Sequence, residues 1–295
     1  MDVTVLRSPD PVIADAVGAL AAAVGGREQR EALREDQREA LIRGGPGWTG
    51  LVAWAPGRAA VTAYAGVRRD SGRWAIEYVH EGPAATGVDI LRAALDAVAS
   101  AGGGPVQVWR SGPTAGSDAE AAEAGLHPTR DVLEIRRPLP VGRPWALAVR
   151  PFVPGRDEQA WLEVNNRAFA WHPEQGGWDL DAIRRREREP WFDPNGFLLH
   201  EEGDRLAGFC WTKVHADHDP PLGEIYVIAV DPDFTGRGLG RDLVLAGLDH
   251  LAALGLTIGM LYVDGDNATA RAVYDRLGFT LHHVDRAYRG DVTPR

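Results

Sequence analysis

The sequence predicts a mixed α/β protein (mixed sheet, α+β in order) built as two similar domains by internal duplication. Three observations carry this. Strand-like and helix-like segments alternate through both halves. Their order recurs with a period of about 150 residues. Between the halves lies RRPLPVGRPW, residues 136–145, whose three prolines and one glycine read as a connector. The expected organisation is an N-terminal domain over 1–138, a linker over 139–146 and a C-terminal domain over 147–295.

In the second half, residues 145–152 read as an entering strand, 157–169 as a helix and 179–189 as another. FLLHEE (197–202) and AGFCWTKV (207–214) alternate like paired strands across a Gly-Asp turn. EIYVIAV (224–230) is rich in β-branched residues and reads as a strand. A helix over 238–253, a strand over 257–263, a helix over 267–277 closed by Gly278 and a strand over 279–288 complete the set. The first half repeats it. WAIEYV (74–79) runs into VHEGPAATG as the later strand runs into VDPDFTGRG, and Val79 to Gly87 spans the same eight steps as Val230 to Gly238. A helix over 88–100, a strand over 106–109 and a helix over 118–124 follow, the last closing on Gly125-Leu126 as Leu277 closes on Gly278-Phe279.

Composition narrows the function classes. A net charge of −10 argues against general nucleic-acid binding, so an anionic ligand must be held by local dipoles and a few arginines. No apolar run approaches membrane-spanning length, and the N-terminus carries acids where a secretory signal carries basic residues. A single cysteine, Cys210, excludes an intrachain disulfide and fits a reducing cytoplasm. The 32 basic residues include one lysine, Lys213, which marks it for a chemical role because lysine and arginine are not interchangeable at a specific contact.

TGRGLGRDLVLAGLDHL, residues 235–251, places three glycines in five residues ahead of an apolar helical stripe. It can be a plain helix start, or a phosphate cradle in which unpaired N–H groups and the positive dipole end meet an anion. Its context favours the cradle: IYVIAV runs into Asp231-Pro232, the loop opens a helix, MLYV leads to Asp266-Asn267, a helix carries Tyr274, and LGF follows. This order resembles the GCN5-related N-acetyltransferase (GNAT) superfamily, and GFCWTKVH, GEIYVIAVDP, NNRAFAWHPEQGGW and LYVDGDN are similar to its tandem-domain mycothiol synthases.

The resemblance implies two tandem GNAT-fold domains and an acetyl-CoA-dependent enzyme that acetylates the cysteinyl α-amine of a cysteinyl-glucosaminyl-inositol. It implies that Thr235, Gly236, Arg237, Gly238, Leu239, Gly240 and Arg241 hold the coenzyme A pyrophosphate. Thr235 departs from the family's Gln or Arg there. The backbone of Ile228, Ala229 and Val230 is expected to receive the pantetheine arm, and Asn267, Ala268, Thr269, Ala270, Arg271 and Ala272 to line the other side of the coenzyme. Asn267 is equally placed to cap its helix. Glu224 is the expected base and Tyr274 the expected acid, with an exposed strand-end acid and a core tyrosine as the plainer readings. Asp36, Glu174, Lys213, Glu224 and Tyr262 are the expected acceptor-binding residues, since an amine and many hydroxyls call for carboxylates and hydrogen-bonding heads. Asp36 stands also as one acid among several on a solvated helix. His172, His215 and His218 show no metal-cage spacing and read as loop residues, so no metal is expected. Trp171, Trp178 and Trp191 fit either a sugar floor or core packing.

The repeat tests the first half. Its register sets Asp89 on Gly240, Arg73 on Glu224 and Ala121 on Tyr274, so base, acid and cradle are all missing and this half is expected to brace the other. Partners are expected to be small molecules, with the chain acting as a monomer. Two competing functions share the coenzyme residues: acetylation of another amine, such as an aminoglycoside or peptide N-terminus, and non-catalytic sensing of acyl-CoA.

Overall fold

The computed structural model describes residues 2–28, 32–45, 47–70, 72–172, 175–216 and 218–295, with the backbone alone at residues 35 and 36. Two compact units emerge. One comprises Met1–Leu133, Asp264–Asp266 and His283–Arg295, and the other Glu134–Val263 and Asn267–His282.

The first unit contains β1 (Asp2–Leu6), α1 (Pro11–Glu28), α2 (Glu35–Arg43), β2 (Thr49–Trp54), β3 (Val61–Asp70), β4 (Arg73–His80), α3 (Ala84–Ser100), β5 (Gly104–Ser111), α4 (Ala115–Glu123) and the start of β6 (His127–Pro138). Its strands lie in the order β1-β2-β3-β4-β5, and the far end of β12 (Thr280–Val292) lies beside β5. That end of β12 pairs antiparallel with β5 from Asp285↔Ser111 to Val292↔Gly104. Arg286 fixes it further, bonding Asp131 at 2.7 Å and Asp118 at 3.0 Å. The expected single C-terminal domain over 147–295 therefore differs from the compact units, because the ladder and these ion pairs draw residues 283–295 into the first one.

The second unit contains β7 (Arg150–Pro151), α5 (Glu158–Ala168), α6 (Leu180–Arg186), β8 (Phe197–Glu202), β9 (Arg205–His215), β10 (Leu222–Val230), α7 (Leu239–Ala253), β11 (Ile258–Asp264) and α8 (Ala268–Arg276), with strand order β11-β10-β9-β8-β7. The strand expected over 145–152 shrinks to β7. The segment before it runs along this unit by side-chain and backbone bonds instead: Leu139 donates to the Thr257 carbonyl at 2.9 Å and the Trp145 indole N–H to Asp249 at 2.7 Å.

An aromatic core supports the site side of the second unit. Trp211 on β9 stacks on Phe197 at 4.4 Å and meets Trp161, Trp191, Phe192 and Tyr226 edge-on or tilted. Each such pair adds roughly 0.5–1.5 kcal/mol beyond area burial, so β9 is held firmly where it approaches β10. On the opposite face α7 lies close: a Cβ on Gly247 would stand 2.5 Å from the Cys210 sulfur, which is why only glycine fits there. No helix among the described residues is long and apolar enough to cross a membrane.

Candidate active site

The site begins with an opening between two strands. β10 and β11 run parallel but pair only at Gly223↔Gly259 and Glu224↔Met260, although β10 continues to Val230 and β11 to Asp264. On its other side β10 stays bonded to β9 through Ile228↔Cys210, Ala229↔Phe209 and Val230↔Gly208. Backbone groups of Ile228, Ala229 and Val230 that face away from β9 thus border the opening without a strand partner. A register shift between Ile225 and Val227 makes Tyr226 a bulge residue, and such bulges re-aim a strand.

Glu224 sits where the strands part. It is buried, 6% exposed, and stands in direct register with Lys213 of β9. Residues opposite one another on antiparallel strands share a face, so the two heads share one side of the sheet. That side is the one away from α7, because a Cβ on Gly223 or Gly259 would point into Leu251 or Leu248 of α7. By alternation His215 and Tyr262 lie on it too. Tyr262 is 47% exposed. The Lys213 ammonium lies 4.9 Å from the Trp191 ring and 5.9 Å from the Tyr226 ring, a cation–π seat for the chain's one lysine. His215 Nε2 approaches Glu224 Oε2 at 2.7 Å.

Tyr274 comes from α8 and is buried beside Phe279, their rings 5.7 Å apart. Burial pushes its phenol well above the ordinary range, so it stays protonated and able to donate. Its field partner is Cys210, whose side chain meets α7.

The glycine loop follows β10. Asp231 turns the chain, accepting from the Asp233 amide at 3.0 Å, and is clamped at 3.0 Å by Arg167 of α5. Gly238 has φ of 82° and caps α7 without a side-chain bond, leaving the first amides of the helix at the loop. Gly240 passes within reach of the strand, its Cβ position 3.8 Å from Val230. Arg237 and Arg241 are exposed and paired with Glu202 at 3.0 Å and Asp242 at 2.6 Å. Exposed pairs of this kind are worth about 0–1 kcal/mol and yield readily to a phosphate. Asn267 caps α8, accepting from the Ala270 amide at 3.1 Å. A left-handed glycine, a helix start and an unpaired strand edge in succession fit a long ligand with an anionic middle.

Glu174 lies outside the described residues, and Asp36 falls in α2 with its side chain outside them. Trp178 and Trp191 are half-buried against the aromatic core, whereas Trp171 is 64% exposed. His215, expected in a loop, is instead the last residue of β9, held there by its pairing with Leu222, and Tyr226 is the residue that sequence reading missed. The alternation K-V-H at 213–215 could have placed His215 beside Lys213, while nothing in EIYVIAV announces a bulge.

In the first unit the corresponding region is built differently. α3 starts at Ala84, so Gly87 is inside a helix, and a Cβ on it would meet Glu120 and His80 at 2.6 Å.

A buried carboxylate where two strands part, ahead of a glycine loop that opens a helix, is an arrangement suited to acyl transfer, and a model of the Acetyltransferase (GNAT) family matches residues 160–279. Among solved structures, a GCN5-related N-acetyltransferase from Sphaerobacter thermophilus shares the fold with a TM-score of 0.76 at 22% identity, covering 99% of this chain and 96% of its own. A tandem GNAT protein from the clavulanic acid biosynthesis pathway does so at 0.72 and 17% identity, covering 100% and 99%. The chain is 42% identical over 294 residues to the mycothiol acetyltransferase of Geodermatophilus obscurus, with 95% of each chain covered. It is 50% identical over 204 residues to that of Thermomonospora curvata, covering 67% of this chain and 68% of the other. The chain belongs to the mycothiol acetyltransferase family of tandem GNAT proteins.

Proposed function

We propose that this chain transfers acetyl from acetyl-CoA to the cysteinyl α-amine of a cysteinyl-glucosaminyl-inositol, the step that yields mycothiol. The observation that carries the chemistry is the buried Glu224, in register with Lys213, at the point where β10 and β11 part. Similarity through 95% of a mycothiol acetyltransferase supports the choice of acceptor.

Glu224 takes a proton from the substrate ammonium, and the freed amine attacks the thioester carbon. The N–C bond forms as the C–S bond breaks, and the Tyr274 phenol supplies a proton to the departing thiolate. The nitrogen, cationic once the N–C bond has formed, gives up its second proton to solvent. Solvent returns one to Tyr274 and accepts the one on Glu224, so that one proton is released per turnover. Backbone groups of Ile228, Ala229 and Val230 hold the pantetheine arm, residues 235–241 the pyrophosphate, and residues 267–272 the coenzyme's other flank. Asp36, Glu174, Lys213 and Tyr262 hold the acceptor. The first half of the chain, taken as the repeat over 1–138, carries no chemistry, and the catalytic repeat over 147–295 follows the connector 139–146. The enzyme works as a cytoplasmic monomer on small molecules.

Thiol release from acetyl-CoA, measured across cysteinyl-glucosaminyl-inositol, an aminoglycoside and a peptide amine, tests this reading. Turnover should be specific to the first. Acetylation of one of the others in its place would leave an acetyltransferase with a different acceptor, and no thiol release with any amine would favour a sensor.

Lys213→Met should raise KM for the acceptor about 10- to 100-fold, the loss of one hydrogen bond from a charged donor, and leave acetyl-CoA affinity unchanged. A compact ammonium reaches a sugar hydroxyl or amide carbonyl where a planar guanidinium is too wide. An unaltered KM removes Lys213 from the acceptor site. Tyr274→Phe should lower kcat about 100-fold or more, since general acid catalysis contributes roughly 10²–10⁴. Because burial raises the phenol's pKa, the wild-type donor is protonated at every pH below its ordinary range and the deficit should be flat with pH there. Wild-type kcat in Tyr274→Phe would remove the phenol from the chemistry and leave it packing against Phe279 alone.

A further inference from the structure

A carboxylate buried as deeply as Glu224, whose side chain is 7% exposed, is costly unless it is hydrogen-bonded. His215 provides that bond. Its Nε2 stands 2.7 Å from Glu224 Oε2, and its own side chain is 18% exposed. An ionised carboxylate only accepts, so the bond requires a proton on Nε2 and thereby fixes the ring's role as donor. The ring's backbone is equally fixed. His215 is the last residue of β9 and pairs with Leu222, two residues before Glu224, so both side chains rise from the same paired ladder.

We propose that His215 is a positioning residue for the acetyl transfer: its Nε2–H holds Glu224 Oε2 so that Oε1 is presented to the substrate amine. This rests on Glu224 being the base. One consequence follows from the bond. A carboxylate free to rotate about its side-chain torsions spends little time aimed at the amine, and anchoring one oxygen removes that freedom. Among the described residues, charged and titratable groups face the pair from several elements, Tyr262 of β11 among them. Lys213 stands opposite Glu224, Tyr226 follows it on β10, and the ring of His218 in the next loop is 5.6 Å from that of His215. Arg186 of α6 and Glu189 after it act on Tyr226.

The test compares His215→Phe, which keeps a ring and loses the donor, with His215→Gln, whose amide N–H reaches about as far as Nε2. Turnover of cysteinyl-glucosaminyl-inositol is followed against pH, together with KM for acetyl-CoA and thermal unfolding. His215→Phe should lower kcat about 10- to 100-fold, the span for losing one hydrogen bond to a charged group. KM for acetyl-CoA should stay put, and His215→Gln should recover most of the loss. The double variant with Glu224→Gln should be no slower than Glu224→Gln alone, since His215 acts only through that carboxylate. Wild-type kcat in His215→Phe, or losses that multiply in the double variant, would overturn the proposal. If His215→Phe does not fold, His215→Asn, whose amide stops short of Glu224, takes its place in the same comparison with His215→Gln. Near wild-type turnover in Glu224→Gln would instead sink the base assignment itself.

Discussion

Glu224→Gln should lower kcat about 10²- to 10⁴-fold, the range that general base catalysis supplies, while acetyl-CoA binds as before. The amide keeps the size of the carboxylate and can still accept from the Nε2–H of His215, so packing around β10 should hold. What disappears is the ability to take the ammonium's proton. The deficit should therefore ease as pH rises, because more of the amine then arrives already deprotonated. The separation of effects follows from position. Glu224 lies at the closed end of the β10–β11 opening, and the loop after Val230 lies at the other end of the strand. Pre-steady-state acetyl transfer and calorimetry on the same preparation check both halves of the expectation, and near wild-type turnover at neutral pH would remove Glu224 from the chemistry.

Much of this site was legible in the sequence because glycine loops, caps and strand composition are local. The loop at 235–241 was read from its glycines, the helix after it begins at Leu239, and Asn267 was read as a cap and is one. The pairing of Lys213 with Glu224 was legible only in part. Both residues were singled out, but their register depends on the β9–β10 ladder, which no local pattern fixes. The Tyr226 bulge and the His215 bond were out of reach for the same reason. The arginines show a different gap: Arg237 and Arg241 were read for their charge towards phosphate, yet they rest on Glu202 and Asp242, partners distant or adjacent in sequence that composition does not rank. In the fold, the elements of the repeat emerged at the expected places, whereas β1, α1, β2 and β3 lie before the segment in which the repeat was recognised. The last strand was read correctly as a strand. Which sheet neighbour it takes is a tertiary matter, settled by the eight-residue ladder to β5 and by Arg286.

Gly238→Trp should abolish measurable acetyl-CoA binding. Gly238 holds φ at 82°, a conformation that costs a residue with a Cβ roughly 1–3 kcal/mol. Against a total stability of about 5–15 kcal/mol this strains the loop without unfolding the domain. A Cβ built on Gly238 meets nothing within 4 Å, so an indole there has open space to enter beside the start of the helix. That space is where the first amides of α7 point, and a pyrophosphate bound to them would collide with the ring. Gly238→Ala separates the two effects. It carries the backbone strain with almost no bulk, and should weaken binding far less than the tryptophan does. The first half offers the internal contrast, since Gly87 has no left-handed turn to support and is packed against Glu120 and His80 within α3. Calorimetry of acetyl-CoA with the wild type and both variants, with circular dichroism to show that each is folded, decides the matter. Equal affinity in Gly238→Trp would mean that the coenzyme's phosphates are held elsewhere, and the cradle at residues 235–241 would have to be given up.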